Sequence, residues 1–183
     1  MRKIRKHVFE TNSSSMHSLV YSKEDRGYDY DLPVDEFGVL TIPFGEFGWG
    51  PEILRTPLEK LSYYVTDHSG YQYDDDEKPW EYIVSDVLSK PAIQAVIKLI
   101  KDKCPEVKDI KFEAAGSFYP RGYVDHESAG TSNDTELEKL IFSKSVIILI
   151  DNDNSCHYSD YRERYNWDKG EFDPPVNDIE ELF

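Results

Sequence analysis

At 183 residues the chain is long enough for one ordinary domain with a sizeable core, and neither a short disulfide scaffold nor a multidomain assembly is implied. It is 39% hydrophobic and 14% aromatic, with thirteen Tyr, which suits a folded protein with a tyrosine-rich surface and excludes a disordered chain. Its net charge of −15 disfavours nucleic acid and anionic membranes as direct partners; with Arg2, Lys3, Arg5 and Lys6 set aside, 17 basic residues face 36 acidic ones elsewhere.

In chain order, residues 4–9 and 17–22 read as short strands on either side of a Thr/Asn/Ser run, and a hairpin between them is one option. Residues 37–44, FGVLTIPF, read as a third strand, and the glycine-rich segment 45–52 ends regular structure. Thr56 followed by Pro57 and Glu59 forms a capping-box signature, which predicts a helix over 57–68. After the acidic and aromatic segment 70–80, the apolar spacing of Tyr82, Ile83, Val87 and Leu88 predicts a helix from Trp80. A second helix follows Pro91, so the two meet at Ser89.

Residues 108–115 alternate as a strand, 116–133 read as a polar loop, and Asn133 with Glu136 predicts the cap of a short helix. SVIILID, residues 145–151, is the most apolar run and is expected to be a buried central strand. The chain therefore reads as an α+β fold in a single domain, with a mixed or antiparallel sheet shared by the first and late strands and about three to four helices. The domain is placed at 1–155 and an acidic C-terminal tail, extended or partly mobile, at 156–183. Residues 151–183 hold ten acidic and three basic residues.

Three polar clusters each contain a histidine. Asn12 to Ser15 precede His17, and on an extended chain Ser15 and His17 share a face; no strained nucleophile elbow surrounds them, and small hydroxyls commonly satisfy backbone groups in turns. GYVDHESAG carries Asp125, His126 and Glu127, although neighbours on a strand face opposite ways. Asp151 and Asp153 follow the apolar strand near His157, a place where carboxylates often work but where an Asx-rich turn also forms readily. If the chain is an enzyme, His17, Asp125, His126, Asp151 and Asp153 are the candidates for a metal-dependent hydrolase or nuclease. The sequence by itself assigns no catalytic residue, no metal and no cofactor. Cys104 and Cys156 lack CxxC spacing, no apolar run long enough for a leader or membrane span follows the N-terminus, and a reducing cytoplasm is expected.

In this order, VFETNSSSMHSLV, GYVDHESAG and ILIDNDN resemble a family of small proteins from phages and mobile elements of Gram-positive bacteria. Within it, length, acidity and motifs resemble type II-A anti-CRISPR proteins, which inhibit Cas9. The resemblance implies a phage-encoded Cas9 inhibitor in the bacterial host cytoplasm, bound to Cas9 or the Cas9–guide RNA complex. It implies no sequence-specific nucleic-acid binding and no membrane, with a homodimer as one option, and it carries over no catalytic residue. Cas9 holds nucleic acid in basic channels, so an acidic surface mimicking DNA fits it. Asp74, Asp75, Asp76 and Glu77, flanked by Tyr71, Tyr73 and Trp80, form the candidate contact patch; the structural alternative is a solvated interhelical loop.

Overall fold

The computed structural model describes residues 15–48, 52–70, 75–116, 119–125, 136–152, 165–166 and 168–172. The central strand is β7, Val146–Asn152, and residues 146–150 are buried on both faces. It is flanked by β1, Ser15–Tyr21, and by β4, Glu52–Leu54, each antiparallel to it. A run of β-branched and leucine side chains suits this place, because a strand covered on both sides needs no polar face. The first described strand thus shares a sheet with the last long one, as expected. The expected strand at 4–9 lies outside the described residues.

A second ladder lies along residues 39–47. β2, Val39–Pro43, pairs in parallel with β5, Asp109–Glu113, and β3, Glu46–Phe47, pairs in parallel with β6, Tyr123–Val124. Hydrogen bonds from Phe44 N to Glu113 O (2.8 Å) and from Tyr123 N to Gly45 O (3.0 Å) extend the two pairs toward each other along this segment. Parallel strands need a long crossover, and here the path from β2 to β5 holds three helices. The segments 45–52 and 116–133, expected to be irregular, therefore contribute β3, β4 and β6; their glycines and polar residues masked strands too short to show periodicity. At Gly122, φ is +61° and an added Cβ would run into the Gly45 carbonyl, so glycine is required where the β6 backbone meets the β3 approach.

Helix α1 spans Pro57–His68, as its capping box predicts. Thr56 Oγ1 accepts from Glu59 N at 3.3 Å, and Glu59 Oε2 accepts from Thr56 N at 2.9 Å. Residues 60–66 of this helix are all buried, because it packs against β2, β6, α3 and α4 at once. α2, Trp80–Ser89, and α3, Pro91–Lys103, meet at Lys90, one residue beyond the expected junction at Ser89. α4, Leu137–Phe142, begins four residues after Asn133. Glu136 stands at its N-cap without a side-chain hydrogen bond, and the expected cap residue Asn133 lies outside the described residues.

One hydrophobic cluster unites these elements, giving a single-domain α+β fold. Within the expected tail, β8, Tyr165–Asn166, and β9, Glu171–Phe172, form a small antiparallel hairpin. Asp168 in its turn accepts from Arg26 Nη2 at 3.0 Å, so an ion pair ties this part of the tail to the body. Among the described residues no helix is long and apolar enough to cross a membrane.

Candidate functional site

Two polar places stand out from the core. The first is the corner where β1 passes α1. His17 on β1 is 9% exposed, and its Nδ1 lies 2.7 Å from the hydroxyl of Tyr63, a wholly buried residue of α1. With the ring proton on Nε2, the phenol donates to Nδ1. Phe47 of β3 packs edge-on against Tyr63 at 5.1 Å between ring centres. Asp125, just past β6, donates its backbone N–H to Phe47 O at 2.8 Å. A strand, a helix and a short parallel ladder therefore bring His17, Tyr63 and Asp125 into one neighbourhood.

The electrostatics of this corner oppose one another. Burial lowers the His17 imidazole to about 4, and the carboxylates of Asp67 and Asp125 pull the other way without overcoming it. The ring is consequently neutral at pH 7, an acceptor and a weak base. The Tyr123 hydroxyl is pushed up to about 12 by burial together with Glu46 and Asp125, which marks the same corner as rich in negative charge. Next to Asp67, His68 stacks on Tyr64 with ring centres 4.2 Å apart. Its Nδ1 is 3.0 Å from Tyr64 O, and since a carbonyl only accepts, Nδ1 carries the proton.

Of the five enzyme candidates, His17 and Asp125 are brought near one another. Asp151 is the Cα partner of Met16, one step along from the His17–Ile150 pair. His126 and Asp153 lie outside the described residues, as do Asn12 to Ser14. Among the described residues, no three His, Cys, Asp or Glu side chains are grouped to hold a metal ion. Tyr63 and Asp67 are members of the corner that motif reading missed. Their i, i+4 spacing on a capped helix puts them on one face, and that was the available signal.

The second place is a buried ion cluster. Arg121, 1% exposed, donates Nε and Nη2 to the two carboxylate oxygens of Asp75, Nη1 to Asp86 Oδ2 at 2.6 Å, and Nη1 to Ser69 O at 2.9 Å. Lys78 Nζ adds a contact of 3.5 Å to Asp75, and Lys90 Nζ one of 3.2 Å to Asp86. The hydrogen bond from Arg121 holds the Asp86 carboxyl below the usual range. Burial pushes the guanidinium down, but the bonds to Asp75 and Asp86 outweigh it, so it remains charged. Pairing of this quality is what permits charges to be buried at all.

This geometry corrects the expected acidic patch at one position. Asp75 turns inward to Arg121 and is unavailable to a partner, whereas Glu77 is exposed. Trp80 is half-buried, with its ring edge-on to Phe44 at 6.0 Å. Tyr71, Tyr73 and Asp74 lie outside the described residues. Asp76 belongs to a single 3-10 turn, Asp75–Glu77. Cys104 is buried and its thiol pushed up to about 11 by that burial, which suits packing better than nucleophilic work.

No family model, curated protein or solved structure matches the chain.

Proposed function

We propose that the chain is a phage-encoded inhibitor of Cas9, acting by stoichiometric binding that interferes with DNA recognition or cleavage. The observation that carries this reading is the chain's net charge of −15. Two of its cations, Lys60 and Arg121, are moreover buried. Such a protein is suited to a positively charged nucleic-acid channel on another protein and ill suited to nucleic acid itself. The resemblance of VFETNSSSMHSLV, GYVDHESAG and ILIDNDN to the anti-CRISPR group supports the same choice.

The test is a DNA-cleavage assay with Cas9 and guide RNA in which the protein is titrated, followed by co-migration of the mixture. Inhibition is expected to saturate near equimolar protein, to weaken as salt rises, and to weaken again when Asp74, Asp76 and Glu77 are each changed to Lys. Asp75 is left unaltered in that variant because its charge neutralises Arg121. Failure to inhibit several Cas9 orthologues sinks the proposal.

A metal-dependent hydrolase or nuclease is the second reading; what favours it is that the fold brings two of its candidate residues, His17 and Asp125, into one neighbourhood. It ranks lower because a nuclease must hold a polyanion against a strongly acidic surface. Cleavage of plasmid DNA in Mg²⁺ or Mn²⁺ that disappears in Asp125→Ala, with folding intact, would raise it to first place.

A further inference from the structure

Lys60 on α1 is 1% exposed and makes no ion pair among the described residues, whereas Arg121, the other deeply buried cation, holds two carboxylates. The Lys60 Nζ donates to two main-chain carbonyls, Ser143 O at 2.9 Å and Val146 O at 3.2 Å. An ammonium carries three N–H donors and a neutral amine two. Two acceptors therefore satisfy the amine completely and leave one donor of the ammonium over, in a place where an uncompensated charge is costly.

Both carbonyls belong to the connection between α4 and β7, to which residues 22–29 are tied. Phe142 O accepts from Asp29 N at 2.7 Å, Lys144 N donates to Gly27 O at 2.9 Å, and Ser145 O accepts from Ser22 N at 2.8 Å. Ser145 Oγ accepts from Arg26 N at 2.7 Å and donates to Glu24 O at 3.0 Å. Lys60 thus joins α1 to the turn that carries this whole segment. Glu59 on α1 and Asp29 on the segment both favour the ammonium. On α4, Glu138 is paired with Lys103 and Lys139 lies over the Tyr21 ring; Lys144 on the turn is exposed, and β7 brings only apolar side chains over Val146 to Ile150. Burial outweighs the two carboxylates and lowers the Lys60 amine from 10.5 to about 8.

We propose that Lys60 is a pH-linked fastener, whose uncharged amine ties α1 to the 143–146 turn more firmly than its ammonium does. In the unfolded chain a lysine keeps its proton until near 10.5, but in the fold Lys60 gives it up near 8. Between those values the unfolded state binds one proton more than the folded state, so stability rises with pH across the window. The direction matches that of His17, whose neutral form is also the buried one, and the two windows lie on either side of pH 7.

The test measures urea unfolding of the full chain and of Lys60→Met from pH 7 to 10.5, together with an NMR titration of the lysine ε-carbons in wild type. Methionine is similar in length and carries no proton, so the upward-shifted Cys104, Tyr30 and Tyr123 contribute alike to both proteins and cancel in the difference. Relative to Lys60→Met, the wild-type unfolding constant is expected to fall about tenfold per pH unit within the window. One lysine is expected to titrate near 8, apart from the rest. A difference that stays flat or reverses sign overturns the proposal. A titration in which no lysine is displaced below its ordinary range overturns it as well, and decides the matter alone if Lys60→Met does not fold.

Discussion

His17 and Tyr63, 46 positions apart in sequence, are joined by a 2.7 Å hydrogen bond that couples the first described strand to the buried face of α1. The pair places an imidazole where it stays neutral. In the unfolded chain a histidine takes up a proton near pH 6.5, but in the fold His17 does so only near 4. As pH falls from 6.5 toward 4 the unfolded state therefore binds the proton first, and stability is lost across that window, by on the order of 3 kcal/mol for the full shift. Urea unfolding of wild type and His17→Asn between pH 4 and 7.5 checks this. The difference in slope between the two should lie within this window, and identical slopes would remove His17 as its source.

Arg121 neutralises Asp75 and Asp86 inside the protein, so its loss should be among the costliest single changes. Arg121→Ala leaves the buried Asp75 carboxylate with Lys78 as its remaining described ion-pair partner, and a loss of about 3–5 kcal/mol is expected. Adding Asp75→Asn should recover part of it, because the stranded charge disappears. A single-variant loss under about 1 kcal/mol in chemical denaturation would contradict the burial of this cluster.

Gly122→Ala tests the joint between the two parallel ladders. The substitution combines a left-handed backbone with a Cβ directed into the Gly45 carbonyl, and both obstacles are main chain, so neither yields cheaply. A destabilisation of about 3 kcal/mol or more is expected. Gly27→Ala, where φ is +73° but nothing lies within 4 Å, should cost only about 1 kcal/mol. Thermal melts of the two variants give the comparison, and equal losses would refute the steric account of Gly122.

Thr56→Ala removes the hydroxyl that accepts from Glu59 N at the start of α1. The expected cost is about 1 kcal/mol. Thr56→Ser should retain most of the stability, since the accepting oxygen remains. Equilibrium unfolding resolves the ranking, and a Ser variant as weak as the Ala variant would assign the loss to the Thr56 methyl group.

Features with a local cause were legible from residue order. The capping box at Thr56 and Glu59 marked α1, because cap and acceptor lie within one turn. The meeting of α2 and α3 followed from Pro91, whose ring suits a first helical turn, and β7 followed from five consecutive apolar residues. The shortest strands, β3 and β6, were not legible, since two residues show no period and only their mutual pairing defines them.

The candidate sites divide along the same line. His17 drew notice within a polar motif, but its partner Tyr63 comes from a distant segment, and a hydrogen bond formed by folding leaves no mark on spacing. Asp75 was indistinguishable from Asp74, Asp76 and Glu77 in a run of four acids; Arg121 alone determines which carboxylate turns inward. Lysine is a residue type usually left in water, yet Lys60 is buried and its Nζ donates to Ser143 O at 2.9 Å and Val146 O at 3.2 Å, because α1 packs against several elements at once. The sequence by itself therefore determined the α+β class, the acidic surface and the helices with local start signals, all of which depend on composition or near neighbours. Tertiary structure decided which charges are buried, that His17 is neutral and which residues surround it. Desolvation and ion pairing arise only when segments far apart in the chain exclude water together.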